Sequence, residues 1–215
     1  MGVFYFPSNF VYWRKVPEHS TFKQQILKYI NENPDGHKQH GLIGRGLSSY
    51  NNHKSQMFLV NYTEFIKSVV WDTLTEALNE LNSRKNTLPI LVGDCKIRQC
   101  WYSIYNENSN ISLHNHETAG REVYIIDGVK FYQSFTVLYI INDKNEKNNT
   151  DFIQLASETS STHIEKVIKF KTSKLEDVGE GTVFIFPSNL YHEVMSIPKG
   201  GRVIFSCDII SNLLS

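Results

Sequence analysis

The sequence predicts a mainly β fold in which two helices precede a barrel or sandwich of short strands. From Leu88 onward, segments rich in Val, Ile, Tyr and Phe alternate with short polar breaks, as in all-β domains. Two earlier stretches repeat apolar residues at helical spacing. No linker or internal repeat divides the 215 residues. We therefore expect a single domain over 1–215, in which residues 1–90 pack on a β core formed by 91–212.

The first predicted helix follows an extended segment over residues 3–16. Pro17–Thr21 breaks that segment, and Phe22, Ile26, Tyr29 and Ile30 then fall on one helical face. An Asn-Pro-Asp-Gly run after Glu32 predicts the end of this helix.

The second predicted helix begins at a capping pair formed by Asn61 and Glu64 and ends before Asn86. Its apolar stripe is typical of a helix that packs against a sheet. The polar, Gly-rich residues 35–56 between the two helices predict a surface loop close to the functional site.

Nine strand segments follow the helices. Asp127 and Gly128, between two of them, form a strong hairpin-turn signal. The predicted segments are 96–105, 111–116, 122–126, 129–141, 151–155, 164–170, 182–186, 191–197 and 202–210.

The composition limits the kinds of partner and the compartment. The 22 basic and 22 acidic residues give a formal net charge of zero, so nothing overall favours nucleic acid or an anionic membrane, although a local basic groove stays open. The odd number of cysteines, three, fits no zinc or redox motif and indicates a reducing, cytoplasmic location. No apolar run is long enough for a transmembrane helix.

Two histidines stand two residues apart in the segment Ile111–His116. Side chains at positions i and i+2 of a strand share a face, so His114 and His116 can point at one place. His192, which follows a buried strand and Pro187, is the expected third partner. Three histidines in strands that one barrel brings together predict a metal site.

The last predicted strand carries a basic residue among apolar ones. Arg202, Ile204, Ser206 and Asp208 share one face of it. A buried guanidinium needs an anion, and two interpretations stay open: a bound anionic ligand, or an ion pair with Asp208 or Glu193.

A His-x-His pair, a later Pro-x4-His and an Arg ten residues further on resemble the motif of the iron(II)/2-oxoglutarate-dependent oxygenases. These are enzymes with a double-stranded β-helix, a jelly-roll barrel. The resemblance covers about residues 96–210 and is closest to a group of oxygenases common in marine bacteria and their phages. It rests on Trp101-Tyr-Ser-Ile, on His114-x-His116, and on Phe-Pro187-Ser188 followed by a His and an Arg.

The resemblance implies a non-haem iron centre. His114, His116 and His192 would be the catalytic residues that hold Fe(II), and O2 would bind the remaining site. The commoner family pattern has a carboxylate where His116 stands. Glu117 should face the opposite side of a strand, whereas Glu122, beyond a turn, could reach the metal.

The resemblance also implies a cosubstrate site. Arg202 would bind the C5 carboxylate of 2-oxoglutarate, with Tyr139 as a second contact and Ser206 as a further candidate. The implied reaction is hydroxylation of a C–H bond with release of succinate and CO2. The substrate, a small molecule or a side chain of another protein, is not encoded in any motif.

Two other functions stay open. The spacing His114-x-His116-x5-Glu122 also resembles the cupins, and it implies a three-histidine dioxygenase that does not use 2-oxoglutarate and for which Arg202 is dispensable. A non-catalytic β-helix binding module would hold no metal at all.

Overall fold

The protein folds into two facing β-sheets, with helices on the outer side of the larger sheet, in a computed structural model. None of the helices in the described part of the chain is both long and apolar enough to span a membrane. The structure describes residues 1–5, 9–40, 43–44, 46–83, 93–116, 123–145, 150–156 and 166–212.

Both predicted helices are confirmed, and a further helix lies between them. Its first turn falls in the predicted loop over residues 35–56, but the Asn52 side chain accepts a hydrogen bond from the backbone N–H of Ser55 and begins α2. Asn61 therefore ends α2 instead of capping the next helix. A π-helical turn, Lys67–Trp71, joins the last two segments into one. The α-helices are α1 His19–Glu32, α2 His53–Asn61, α3 Thr63–Ile66 and α4 Asp72–Asn82.

All nine predicted strand segments are found. Asp127 and Gly128 form the expected turn, with φ of 52° and 79° in the left-handed region. The strands are β1 Gly2–Tyr5, β2 Phe10–Lys15, β3 Lys38–Gln39, β4 Leu47–Ser48, β5 Cys95–Tyr105, β6 Ile111–His114, β7 Val123–Ile126, β8 Val129–Asn142, β9 Thr150–Ala156, β10 Lys166–Lys171, β11 Thr182–Pro187, β12 Tyr191–Val194 and β13 Arg202–Ser211.

The chain alternates between the two sheets, which makes the barrel a double-stranded β-helix. The larger sheet has the order β1-β2-β11-β8-β13-β5-β4-β3, and β7 pairs with β8 beside it. The smaller sheet has the order β10-β9-β12-β6. The pairing of β2 with β11 extends the larger sheet with N-terminal residues.

The larger sheet separates two apolar cores. One core lies between the sheet and the helices and includes Phe65, Val137 and Tyr139. The other lies between the two sheets and includes Leu138 and Ile140. Because neighbours on β8 point to opposite faces, this alternation determines which side chains can reach the interior of the barrel.

Candidate metal centre

The structure brings His114, His116 and His192 together between the two sheets. One ring nitrogen from each lies within 4.8 Å of the other two. His192 and His114 are directly opposite each other in the pairing of β12 with β6. The β6 strand ends at His114, two residues earlier than predicted, so His116 reaches the cluster from the bend that follows.

Each of the three rings has its Nδ1 atom beside an oxygen acceptor. The acceptor is the Ser112 carbonyl for His114 at 2.8 Å, the Asp208 carboxylate for His116 at 2.8 Å, and the Leu190 carbonyl for His192 at 3.5 Å. An imidazole that donates from Nδ1 keeps the lone pair of Nε2 for a metal. The donor set therefore fits a divalent metal ion held by one ring nitrogen from each of the three histidines.

Burial keeps two of these histidines neutral. It lowers the pKa of His114 to about 4, with a further contribution from His116. Burial also lowers the pKa of His192 well below its usual value, and both neighbouring histidines add to this effect. The unprotonated imidazole, the form that binds metals, is thus the ground state at neutral pH.

A cavity of about 280 Å³ opens beside the three histidines. Its walls are largely apolar and aromatic, with a few polar groups, which is the usual composition of a small-molecule site. Its lining residues include Ile43, Tyr50, Trp101, Tyr105, Leu138, Ile204 and Ser206.

Of the predicted cosubstrate residues, Ser206 lines this cavity, and Arg202 lies next to one of the lining residues. The Arg202 guanidinium carbon is 5.8 Å from the centre of the Tyr105 ring, and Tyr105 lines the cavity. Arg202 is fully buried and contacts Asp143 at 3.5 Å and the Thr150 hydroxyl at 2.9 Å. Its acidic partner is therefore Asp143, where the sequence suggested Asp208 or Glu193.

Tyr139 is not brought to the cavity, which corrects its expected place beside the cosubstrate. It lies on the helix-facing side of β8, because the inward positions of that strand are Leu138 and Ile140. Its hydroxyl is 2.6 Å from Nδ1 of His19 at the start of α1. Glu117 and Glu122, the carboxylates considered as metal ligands, lie outside the described residues.

Three residues of the site were not assigned to it from the sequence. His40, expected at the surface, and Arg98 both line the cavity. Asp208 contacts His116, and its other carboxylate oxygen is 3.6 Å from Arg98. The shared face of Ser206 and Asp208 was the available signal, since one inward-facing residue on a strand predicts the next but one.

Solved structures with the same fold are found among the Fe(II)/2-oxoglutarate oxygenases. OsALKBH1 superposes with a TM-score of 0.57 at 10% identity, over 99% of this chain and 100% of that one. HygX from Streptomyces hygroscopicus, crystallised with nickel and 2-oxoglutarate, gives 0.52 at 10% identity, over 93% and 82%. A Trichoplax adhaerens prolyl hydroxylase, in complex with a hypoxia-inducible-factor peptide, gives 0.51 at 12% identity, over 94% and 83%.

The sequence itself has no such counterpart: no protein-family model matches it, and no curated protein matches it. The structural likeness confirms the double-stranded β-helix with N-terminal helices. It places the fold of this chain among those oxygenases, as the motif resemblance implied.

Proposed function

We propose that this protein is an Fe(II)/2-oxoglutarate-dependent dioxygenase that hydroxylates a substrate C–H bond. The observation that carries the proposal is the set of three histidines, each with Nδ1 on an acceptor, at the wall of a cavity between the sheets. The shared fold supports the same reaction class. The substrate is a small molecule or a side chain of another protein.

His114, His116 and His192 would hold the iron through their Nε2 atoms. Bound there, Fe(II) and 2-oxoglutarate would supply the chemistry of O2 activation and C–H hydroxylation, with release of succinate and CO2. All three histidines line the cavity, so a molecule bound in it would lie beside them.

The protein itself orients the reactants and excludes water. The apolar walls formed by Ile43, Leu138 and Ile204 limit the access of solvent to the histidines. The Ser206 hydroxyl gives this cavity a hydrogen-bonding group on the β13 side.

The three cysteines of the protein, none in a disulfide, support a cytoplasmic location, where iron is kept reduced.

Arg202 is the proposed anchor for the far carboxylate of 2-oxoglutarate. It lies on the same inward face of β13 as Ser206, and a guanidinium binds a carboxylate through two parallel hydrogen bonds. Arg202 is not among the residues that line the cavity, and it already contacts Asp143, so the cosubstrate carboxylate would share the guanidinium with Asp143.

The test is the release of succinate and CO2 from 2-oxoglutarate by protein loaded with Fe(II). We expect slow turnover without added substrate, and its loss in His114→Ala and His192→Ala, because each removes a ligand. A protein that neither turns over nor binds 2-oxoglutarate when it is fully loaded with iron would rule out this function.

The anchor can be located with two arginine variants. We expect Arg202→Ala to weaken 2-oxoglutarate binding at least tenfold, on the order of the 1.5–3 kcal/mol that a charged hydrogen bond contributes. Arg98→Ala is the comparison, because Arg98 is a cation that lines the cavity directly. Weaker binding in Arg98→Ala with unchanged binding in Arg202→Ala would move the anchor to Arg98.

A three-histidine dioxygenase that does not use 2-oxoglutarate is the second candidate. The contacts of Arg202 with Asp143 and Thr150 favour it, since they already satisfy part of the guanidinium. It predicts tight metal binding without any 2-oxoglutarate binding. Elemental analysis of the purified protein separates both candidates from a binding module that holds no metal.

A further inference from the structure

His116 belongs to a closed ring of hydrogen bonds. Its Nδ1 lies 2.8 Å from Oδ1 of Asp208, which also accepts a bond from the Thr136 hydroxyl at 3.2 Å. The Thr136 and Ser188 hydroxyls are 3.1 Å apart. The ring closes at the backbone, where the N–H of His116 donates to the carbonyl of Ser188 at 2.9 Å. Both the main chain and the side chain of His116 are therefore held.

This ring of hydrogen bonds is buried, so water cannot easily replace its members. Thr136 is fully buried, and Ser188 and Asp208 each expose 2% of their surface. A buried carboxylate is costly unless it is paired, and Asp208 has the His116 ring, Thr136 and the Arg98 guanidinium at 3.6 Å around it. Such a network holds its members in one arrangement.

The other two histidines are held by quite different contacts. His114 and His192 each approach a backbone carbonyl two residues earlier in the chain, at Ser112 and Leu190. These carbonyls come with the local chain, whereas Asp208 is 92 residues from His116. Removal of the Asp208 carboxylate should therefore affect the imidazole of His116 and not those of His114 and His192.

The Trp101 indole adds a steric wall to this arrangement. Its ring is nearly parallel to that of His116, with 17° between the planes and 5.6 Å between the centres. The hydrogen bond to Asp208 fixes which nitrogen carries the proton, and the indole limits rotation of the ring.

We propose that the ring formed by Asp208, Thr136 and Ser188 positions His116 as the third metal ligand, with Asp208 fixing its tautomer. The carboxylate that the commoner triad places on the metal would here act one hydrogen bond further out, on the histidine that occupies its position. This inference rests on the metal centre of the proposed function. It also gives the Ser of the Phe-Pro-Ser motif a role, since Ser188 contacts both ends of the arrangement.

The first test is a titration of the metal-free protein with Co(II), followed by its visible spectrum. We expect Asp208→Ala to weaken Co(II) binding by about 10–100-fold, the usual effect of losing a carboxylate behind a metal-bound histidine. Thr136→Val should weaken binding less, because it removes one of the bonds that hold Asp208.

Two matched variants serve as controls. Asp151→Asn alters another buried acid, which pairs with Lys169 at 3.1 Å, and Thr182→Val alters another buried strand threonine. We expect both to bind Co(II) like the unaltered protein. A folded Asp208→Ala protein with unchanged affinity would overturn the proposal.

The second test reads the tautomer directly and needs no metal. In ¹⁵N-histidine NMR of the metal-free protein, we expect the proton of His116 on Nδ1, and a mixture of tautomers in Asp208→Ala. If that variant does not fold, Thr136→Val provides the same comparison, with a smaller tautomer change expected. A neutral His116 that carries its proton on Nε2 in the unaltered protein would contradict the proposal. Failure to turn over 2-oxoglutarate would leave these results unaffected, so the two proposals fail separately.

Discussion

At the scale of single residues, the unusual feature of the candidate metal site is a histidine, His116, where a carboxylate ligand is more common. Three imidazoles leave a divalent metal one positive charge richer than two imidazoles and a carboxylate would. Asp208 supplies the missing negative charge next to His116, at 2.8 Å from its Nδ1. His116 and Asp208 together thus provide the negative charge that the commoner triad supplies through a single carboxylate.

This arrangement predicts that His116→Asp does not simply restore the commoner triad. The substitution removes the proton donated to Asp208 and brings two carboxylates together in a buried site. We expect metal affinity to fall at least tenfold and the free energy of unfolding to drop by about 2 kcal/mol, as measured by denaturant titration.

The double variant His116→Asp with Asp208→Asn is the matched control. It removes the second negative charge, so we expect both stability and metal affinity to recover in part. Tighter metal binding by His116→Asp alone, at unchanged stability, would show that Asp208 exerts no such constraint.

The sequence was sufficient to predict which histidines converge, but not what supports them. His-x-His and Pro-x4-His are local patterns, and two strands of one barrel bring them together. Asp208 was instead considered as a partner of Arg202, because both lie on one face of β13. Tyr139 was placed by the family resemblance, which matches a strand but does not say which of its two faces is inward.

At the scale of elements, Glu180 holds α1 against the barrel through hydrogen bonds. Its carboxylate accepts hydrogen bonds from Lys23 at 2.6 Å, from His19 at 3.2 Å and from the backbone N–H of Asp143 at 3.0 Å. Burial raises the pKa of Glu180, but these three donors outweigh that effect and hold the pKa below its usual value. The same His19 ring contacts the hydroxyl of Tyr139 on the helix-facing side of β8.

A lowered carboxylate pKa predicts a pH-dependent contribution to stability. Glu180 stabilises the folded state above the usual Glu pKa of 4.5, and this contribution is lost as the pH falls through the lower, folded-state value. We expect Glu180→Gln to cost about 1 kcal/mol at pH 7, since the group is partly exposed to solvent. The difference from the unaltered protein should shrink below pH 4.5.

Denaturant titrations at pH 7 and at pH 3.5 measure this difference. Glu32→Gln is a suitable control, because Glu32 is exposed and its contact with Lys28 is a surface pair of 3.8 Å. An equal loss of stability for Glu180→Gln at both pH values would show that the charge of Glu180 is not what fastens α1.

The regularity of the apolar pattern explains why α1 and α4 were predicted from the sequence and α2 was not. The helices α1 and α4 carry regular apolar stripes, with Phe22, Ile26 and Ile30 buried in the first. In α2 only Ser55 and Leu59 are buried, so the helical period is faint in its sequence. The strands after Leu88 were easier to predict, because a polar break separates each of them from the next.

At the scale of the whole molecule, the candidate metal centre joins the two sheets. His114 and His192 belong to the smaller sheet, and Asp208 belongs to the larger one. His116 spans the gap between them. A site of this kind exists only when both sheets are packed, and its residues are far apart in the sequence, so its geometry could not be derived from local patterns alone.

The most direct test of this account is the number of imidazoles that bind the metal. X-ray absorption at the iron edge of protein loaded anaerobically with Fe(II) counts them through the scattering of their outer ring atoms. We predict three imidazoles in the unaltered protein and two in His116→Ala. Two imidazoles and a protein carboxylate in the unaltered protein, with no change in His116→Ala, would contradict the three-histidine centre.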